Sequence, residues 1–305
     1  MPLLAIALVL AASILHVAWN SLVKTSGDPL ETSTRAVALG ALVLAPLAVL
    51  AWLATGRPPL EPSGWAIGVL SGLVEVAYFV ALSAAYRQGA MSSVYPVARG
   101  TGAMLAAAIG VVVLGEHLSP TGFAGVVLLL AGIIAAALPG ARRSTLVPAL
   151  LTGCAIAGYS ALDRVGVRLG PAWLYAAVIW SVAGIGLLAF TMVTRAARQR
   201  RTGPRAPTGT AAGAQAAVAA PGAARDASSL RRSMATGLLM IATYMLVLVA
   251  LGVAPLSGVG PLRESATVLA AAWGVVALGE RDHAAWRLGG AVAVAIGSVL
   301  LVVGG

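Results

Sequence analysis

Four ionisable side chains sit deep in otherwise apolar stretches of this sequence: Glu75, Arg99, Arg263 and Glu264. An ionised group at the centre of a bilayer costs about 2.5–3.5 kcal/mol on insertion scales, so groups kept there pair with one another or act on a solute. Two chemistries suit them. A guanidinium grips a carboxylate through a planar fork of donors, and a carboxylate near the midplane can bind a substrate or exchange a proton. An uncharged polar set accompanies them. Ser13, His16 and Asn20 are spaced by three and four, hence share one helix face, and Tyr159 and Asp163 repeat the four-residue spacing. Trp19, Tyr78, Tyr95 and Tyr244 are placed to stack on an apolar or aromatic solute, Tyr78 best, one turn beyond Glu75. Trp52, Trp65, Trp173 and Trp286, near segment ends, read as interfacial aromatics.

Two readings of the charged set stand side by side. The two Arg and two Glu sum to zero, and salt bridges joining distant parts of the chain would account for them without a substrate. Alternatively, they line a binding site. Asp163, followed by Arg164 in the last turn of its segment, reads as an interfacial ion pair. Other chemistry has no support. Cys154 is the single cysteine, so neither an intramolecular disulfide nor a Cys/His metal spacing is available. No phosphate-cradling loop, HExxH, nucleophile elbow or pair of catalytic carboxylates is present, so no catalytic residue, metal or cofactor is expected and the chain does not read as an enzyme.

The elements that position these residues are membrane helices. The chain of 305 residues is 59% apolar and 10% charged, where soluble domains carry roughly 45–50% and about 25%. A spanning helix takes about 20 apolar residues. Ten stretches qualify, at 3–23, 34–54, 65–85, 90–114, 119–138, 147–166, 172–194, 234–252, 256–279 and 284–303. The first lacks a basic leader and contains His16, Trp19 and Asn20, so it reads as a span rather than a signal peptide. Pro96 and Pro261, just before the two arginines, are expected to interrupt their helices and free backbone groups to line a cavity. Gly68/Gly72 and Gly122/Gly125 are expected at close helix contacts.

An internal repeat organises the chain. A shift of 164 lays Arg99, Leu105–Ala108, Gly110–Val112 and Leu114-Gly115-Glu116 onto Arg263, Leu269–Ala272, Gly274–Val276 and Leu278-Gly279-Glu280. At a shift of 165, Gly125 and Gly132 fall on Gly290 and Gly297. Glu264 falls on Gly100 and Glu75 on Leu239, so the repeat does not require either carboxylate. The fold class expected is an all-α polytopic membrane protein of ten transmembrane helices. It comprises two inverted-topology five-helix repeats, 3–138 and 147–303, because an odd number of spans forces the second half to enter from the opposite side. A disordered basic linker is expected at 195–233. The Leu-Gly-Glu glycines read as turn glycines at helix ends.

Two five-helix halves, each closing with an Arg-bearing helix, an Ala-rich stretch, a Leu-Gly-Glu turn and a Gly-rich last helix, resemble the EamA domains of the drug/metabolite transporter superfamily. The resemblance covers nearly the whole chain; the long basic linker departs from the compact pattern. It implies a secondary-active exporter of small organic metabolites, working by alternating access around a site formed by segments 1, 3, 4, 6, 8 and 9. Arginines at that site suit amino acids or derivatives that bear a carboxylate or are amphipathic. The residues put forward for substrate binding or coupling are Glu75, Arg99, Arg263, Glu264, His16, Asn20, Tyr78 and Tyr159. A non-transporting scaffold or subunit and a flippase-like lipid carrier are the alternatives, and a homodimer is compatible with either.

The net charge of +10 would suggest nucleic acid in a soluble protein. Here residues 195–233 hold eight arginines against Asp226, and the odd-numbered connections carry fifteen Lys and Arg against two in the even-numbered ones. The partners expected are therefore a small-molecule substrate and the lipid bilayer, with the basic linker on anionic headgroups, and not nucleic acid. The positive-inside rule places the odd connections in the cytoplasm and both termini outside the cell membrane. A reporter fused at Gly305 is expected to score outside the cytoplasm, and cytoplasmic activity would reverse the assignment.

Overall fold

The computed structural model describes residues 3–114, 119–139, 142–202, 221–253 and 263–304, and every regular element among them is a helix. In chain order these are α1 (Leu3–Lys24), α2 (Pro29–Ala54), α3 (Pro62–Gln88), α4 (Met91–Leu114), α5 (Pro120–Ala137), α6 (Arg143–Gly166), α7 (Ala172–Thr202), α8 (Pro221–Val253), α9 (Ser265–Val276) and α10 (Ala284–Gly304). Seven of them, α1, α2, α3, α5, α6, α7 and α10, are long and apolar enough to cross a membrane. The ninth expected span is represented by the 12 residues of α9, with 254–262 outside the described residues.

Local chemistry sets the helix starts. Asp28 accepts hydrogen bonds from the amides of Leu30 and Glu31, with Pro29 in the first turn, so α2 begins five residues before its apolar run. Ser119 caps α5 in the same way through Gly122 N–H at 3.2 Å. Two expectations are corrected. Pro96 does not interrupt its helix: α4 starts at Met91 and continues through it, the lost backbone bond falling near the start where neighbours hold the chain. Pro261 lies outside the described residues. The stretch 195–233 is not a linker throughout, because α7 runs on to Thr202 and α8 starts at Pro221; residues 203–220 lie outside the described residues. Alanine and arginine are strong helix formers, and a helix nucleated by its apolar part extends at little cost. These extensions are anchored on the α1–α2 turn. Glu31 pairs with Arg195 at 3.1 Å as well as with Arg35, and Arg232 donates to Thr25 Oγ1 at 3.4 Å.

Packing pairs helices that are distant in the chain. α3 lies on α6 and α1 on α8; α2 lies on α8 and α7 on α3; α2 meets α7, α4 meets α9 and α5 meets α10. Each of the last three pairs runs antiparallel. Gly40 faces Trp180 while Gly184 faces Ala38; Arg99 reaches Glu264 while Gly274 faces Ser92; Gly125 faces Gly297 while Gly132 faces Gly290. The connections sort accordingly. The α1–α2, α3–α4, α7–α8 and α9–α10 ends meet on one face through Lys24, Glu31 and Glu280. On the other, Glu61 N–H donates to Leu169 C=O and Ser119 N–H to Gly304 C=O.

Glycine permits the tightest of these contacts. Lipid gives helices no hydrophobic reason to associate, so close backbone approach through small residues supplies the packing energy. A Cβ on Gly132 would stand 2.7 Å from the Gly290 carbonyl oxygen and the Val294 nitrogen, and one on Gly297 2.7 Å from the Leu129 nitrogen. Backbone atoms cannot step aside. Gly72, on α3, meets Val182 and the Ile179 carbonyl of α7 in the same way. Gly132→Ala is expected to destabilise the purified protein by about 1–3 kcal/mol. Gly289→Ala, where a Cβ meets nothing within 4 Å, should leave its thermal unfolding unchanged.

Candidate functional site

Six helices converge on two adjoining chambers that share His16, Tyr95 and Arg99. The first lies among α1, α4, α8 and the residues leading into α9, and is completed by Ser13, Thr243 and Arg263. The second lies among α1, α3, α4 and α6, and is completed by Asn20, Tyr78, Thr152 and Tyr159. The three-and-four spacing read from α1 is what turns Ser13, His16 and Asn20 toward the same space.

Electrostatics are concentrated in the first chamber. Arg99 Nη2 forms an ion pair with Glu264 Oε1, each side chain 11% exposed, and Thr267 Oγ1 donates to the other Glu264 oxygen at 3.2 Å. This bridge ties α4 to the start of α9. Removing one partner of a buried pair leaves a bare charge, at a cost of about 3–5 kcal/mol. Arg263, within electrostatic range of Arg99, makes no hydrogen bond or ion pair among the described residues. The Tyr95 hydroxyl and Arg99 Nε are buried, with no hydrogen-bond partner among the described residues.

The walls are aromatic. The His16 ring lies 4.8 Å from Trp19 and 6.0 Å, edge-on, from Tyr95. Tyr78 and Tyr159 meet edge to face at 5.8 Å. Asn20 has fixed partners, donating to His16 C=O and accepting from Tyr86 OH, both at 2.8 Å. The structure thus brings together His16, Asn20, Tyr78, Arg99, Tyr159 and Arg263, with Glu264 behind Arg99. Glu75 lines neither chamber. It sits half-buried on α3, without a hydrogen bond or ion pair among the described residues, in electrostatic range of Asp163, Tyr78 and Tyr159. Tyr244 packs in the α2–α7–α8 cluster instead of the chambers. The Arg164 side chain, the partner expected for Asp163, lies outside the described residues. Asp163 accepts from Ser71 Oγ at 2.6 Å and Tyr175 OH at 2.9 Å, which ties α6 to α3 and α7. No group of three or more His, Cys, Asp or Glu suited to a metal occurs among the described residues.

Residues read only as loop charges or a turn build a second cluster at the α3–α4 turn. Glu280 accepts from the amides of Met91 at 2.7 Å and Ser92 at 2.8 Å, so its carboxylate occupies the N-terminus of α4. Lys24 donates to the carbonyls of Tyr86 at 2.8 Å and Gly89 at 2.6 Å, at the C-terminus of α3. Arg287, 8% exposed, donates to Ser92 Oγ at 3.2 Å. The recurrence of Leu-Gly-Glu marked Glu280 in the sequence; nothing marked its partners, more than 180 residues away.

Comparisons with known proteins accord with this architecture. Residues 2–138, spanning α1 to α5, match the model of the EamA-like transporter family. A crystal structure described only as that of a protein aligns over 98% of this chain and 96% of its own, with a TM-score of 0.53 and 19% identity, which establishes a shared fold alone. No curated protein matches the sequence. With its apolar helices, the family match makes this a multi-pass membrane protein. Glu280→Ala would strip two backbone donors of their acceptor and is expected to cost about 1–3 kcal/mol, read as a lower melting temperature of the purified protein.

Proposed function

We propose, on the match of residues 2–138 to the EamA-like transporter family, that the chain is a secondary-active exporter of small organic metabolites bearing a carboxylate, such as amino acids or their derivatives. The observation that carries this reading is the pair of small adjoining cavities at the centre of an apolar bundle, lined by Arg99, Arg263, His16 and three tyrosine rings, Tyr78, Tyr95 and Tyr159. Arg99 is paired with Glu264, but a purely structural bundle gains nothing from the second guanidinium, Arg263, which has no ion pair among the described residues and is costly to bury. Discontinuous helices and a site at the seam of two repeats are how secondary transporters bind solutes at the midplane. The short α9, preceded by Arg263, has that form.

Two inverted five-helix halves would rock about this seam, giving access from each side in turn. Support comes from the antiparallel pairing of α2 with α7, α4 with α9 and α5 with α10, each helix meeting the one five places later. Both termini lie outside and the α7–α8 connection lies in the cytoplasm against anionic lipid. The chain carries no ATPase motif, so the driving force is a gradient. Glu75, half-buried and unpaired among the described residues, serves as the coupling carboxylate, linked to the chambers through Tyr78 and Tyr159.

Purified protein in liposomes is expected to give saturable, gradient-driven flux of a carboxylate-bearing metabolite, with a pH dependence that Glu75→Gln removes. Persistent absence of flux across a metabolite panel would refute transport, and an unchanged pH dependence in Glu75→Gln would refute coupling at that residue.

A further inference from the structure

The sequence repeat makes Arg99 and Arg263 equivalent, yet the structure treats them differently. One carboxylate serves both, and it is committed. Glu264 reaches across to Arg99, while the position equivalent to Glu264 in the first half is Gly100, whose Cβ would strike Ile133 at 2.7 Å. No second carboxylate can therefore be supplied from that position to Arg263. Among the described residues, the fixed charges bordering the first chamber are two guanidiniums and one carboxylate, a surplus of one positive charge. Asp163 is within electrostatic range of Arg263 but lines neither chamber, its carboxylate accepting from Ser71 and Tyr175, and Glu75 lines neither chamber.

An independent observation points the same way. Tyr95 is 4% exposed, lines both chambers, and its hydroxyl has no partner among the described residues; the same holds for Arg99 Nε. Buried donors without acceptors are costly in a packed interior and call for a ligand that accepts. A carboxylate offers about four lone-pair positions on two oxygens, matching a free guanidinium, a hydroxyl and an Nε–H. The rings of His16, Tyr78 and Tyr159 then face the remainder of the ligand, which must be apolar or aromatic.

We propose that Arg263, Tyr95 and Arg99 Nε form a subsite for a single carboxylate and that Glu264 sets its charge count, so that the preferred substrate is a monocarboxylate with an apolar or aromatic body. This rests on the transporter reading of the same site and narrows it. A dicarboxylate brings one negative charge too many, and an amino-acid zwitterion leaves the surplus uncancelled while burying an ammonium group with no partner. Glu264 is thus a specificity residue acting through Arg99, and amino-acid derivatives whose amino group is acylated or replaced fit better than free amino acids.

Three probes with the same benzyl body separate the possibilities: 3-phenylpropanoate, phenylalanine and benzylmalonate. Their binding to the purified protein can be followed by quenching of tryptophan emission, Trp19 lying against His16. In the native protein 3-phenylpropanoate is expected to bind tighter than either of the others by about tenfold or more, because an uncompensated buried charge is strongly penalised. Glu264→Gln raises the surplus by one and should turn the preference toward benzylmalonate. Arg263→Gln removes the surplus and should abolish the preference for 3-phenylpropanoate. The double variant Arg99→Gln/Glu264→Gln restores a surplus of one and should return the native order, which guards against a single variant that fails to fold. Equal binding of the three probes, tightest binding of phenylalanine, no binding of any probe, or a double variant that prefers benzylmalonate would overturn the proposal. Flux without this charge order refutes the monocarboxylate subsite and leaves transport standing; charge-ordered binding without flux does the reverse.

Discussion

Hydrocarbon solvates neither charge nor backbone, and this constraint governs the molecule. Every polar group inside must find its partner within the protein. Most do. Asp163 is held by Ser71 and Tyr175, Asn20 by Tyr86 and the His16 carbonyl, and Arg99 by Glu264. Against this background of satisfied groups, Arg263, the Tyr95 hydroxyl and Arg99 Nε stand out because they are donors left over at one place.

The same constraint explains the packing. Helix ends expose carbonyls and amides that lipid cannot bond, and at the α3–α4 turn these are met by Lys24 and Glu280, each from another part of the chain and each matched to the local helix dipole. Helix sides associate without a hydrophobic drive, so glycines bring backbones together at the α5–α10 and α3–α7 crossings. Together these contacts fix the frame against which the chambers open among α1, α3, α4, α6, α8 and α9. The aromatic rings there form a connected wall, from Trp19 and His16 through Tyr95 on one side and from Tyr78 to Tyr159 on the other.

Much of this was legible beforehand, for physical reasons. Long apolar blocks can only be membrane helices, and the spacing of Ser13, His16 and Asn20 can only place them on one face. Repeated glycines at 125, 132, 290 and 297 signalled matching contacts, though not that they contact one another. Composition misled at the ends of the basic stretch, where alanine and arginine favour helix once a long apolar helix has nucleated it. Pro96 misled because one missing hydrogen bond near a helix start is tolerated. The roles of Lys24, Glu280 and Arg287 were missed because their partners are backbone or hydroxyl groups of other helices, which no local pattern encodes.

The sequence by itself determined the class of molecule, its long apolar helices, the repeat in the sequence and the short roster of polar residues, because these follow from composition and period. Only the tertiary structure decided how the charges are shared. Glu264 follows Arg263 in the chain, but consecutive residues point in different directions, and its carboxylate crosses to Arg99, 165 positions away. Salt bridges between distant parts of the chain were one reading of the sequence, and the packing of α4 against α9 decided which arginine takes the carboxylate. That choice leaves Arg263 facing the chamber without a counter-ion among the described residues, because a pairing between distant helices is set by their crossing and not by their order in the chain.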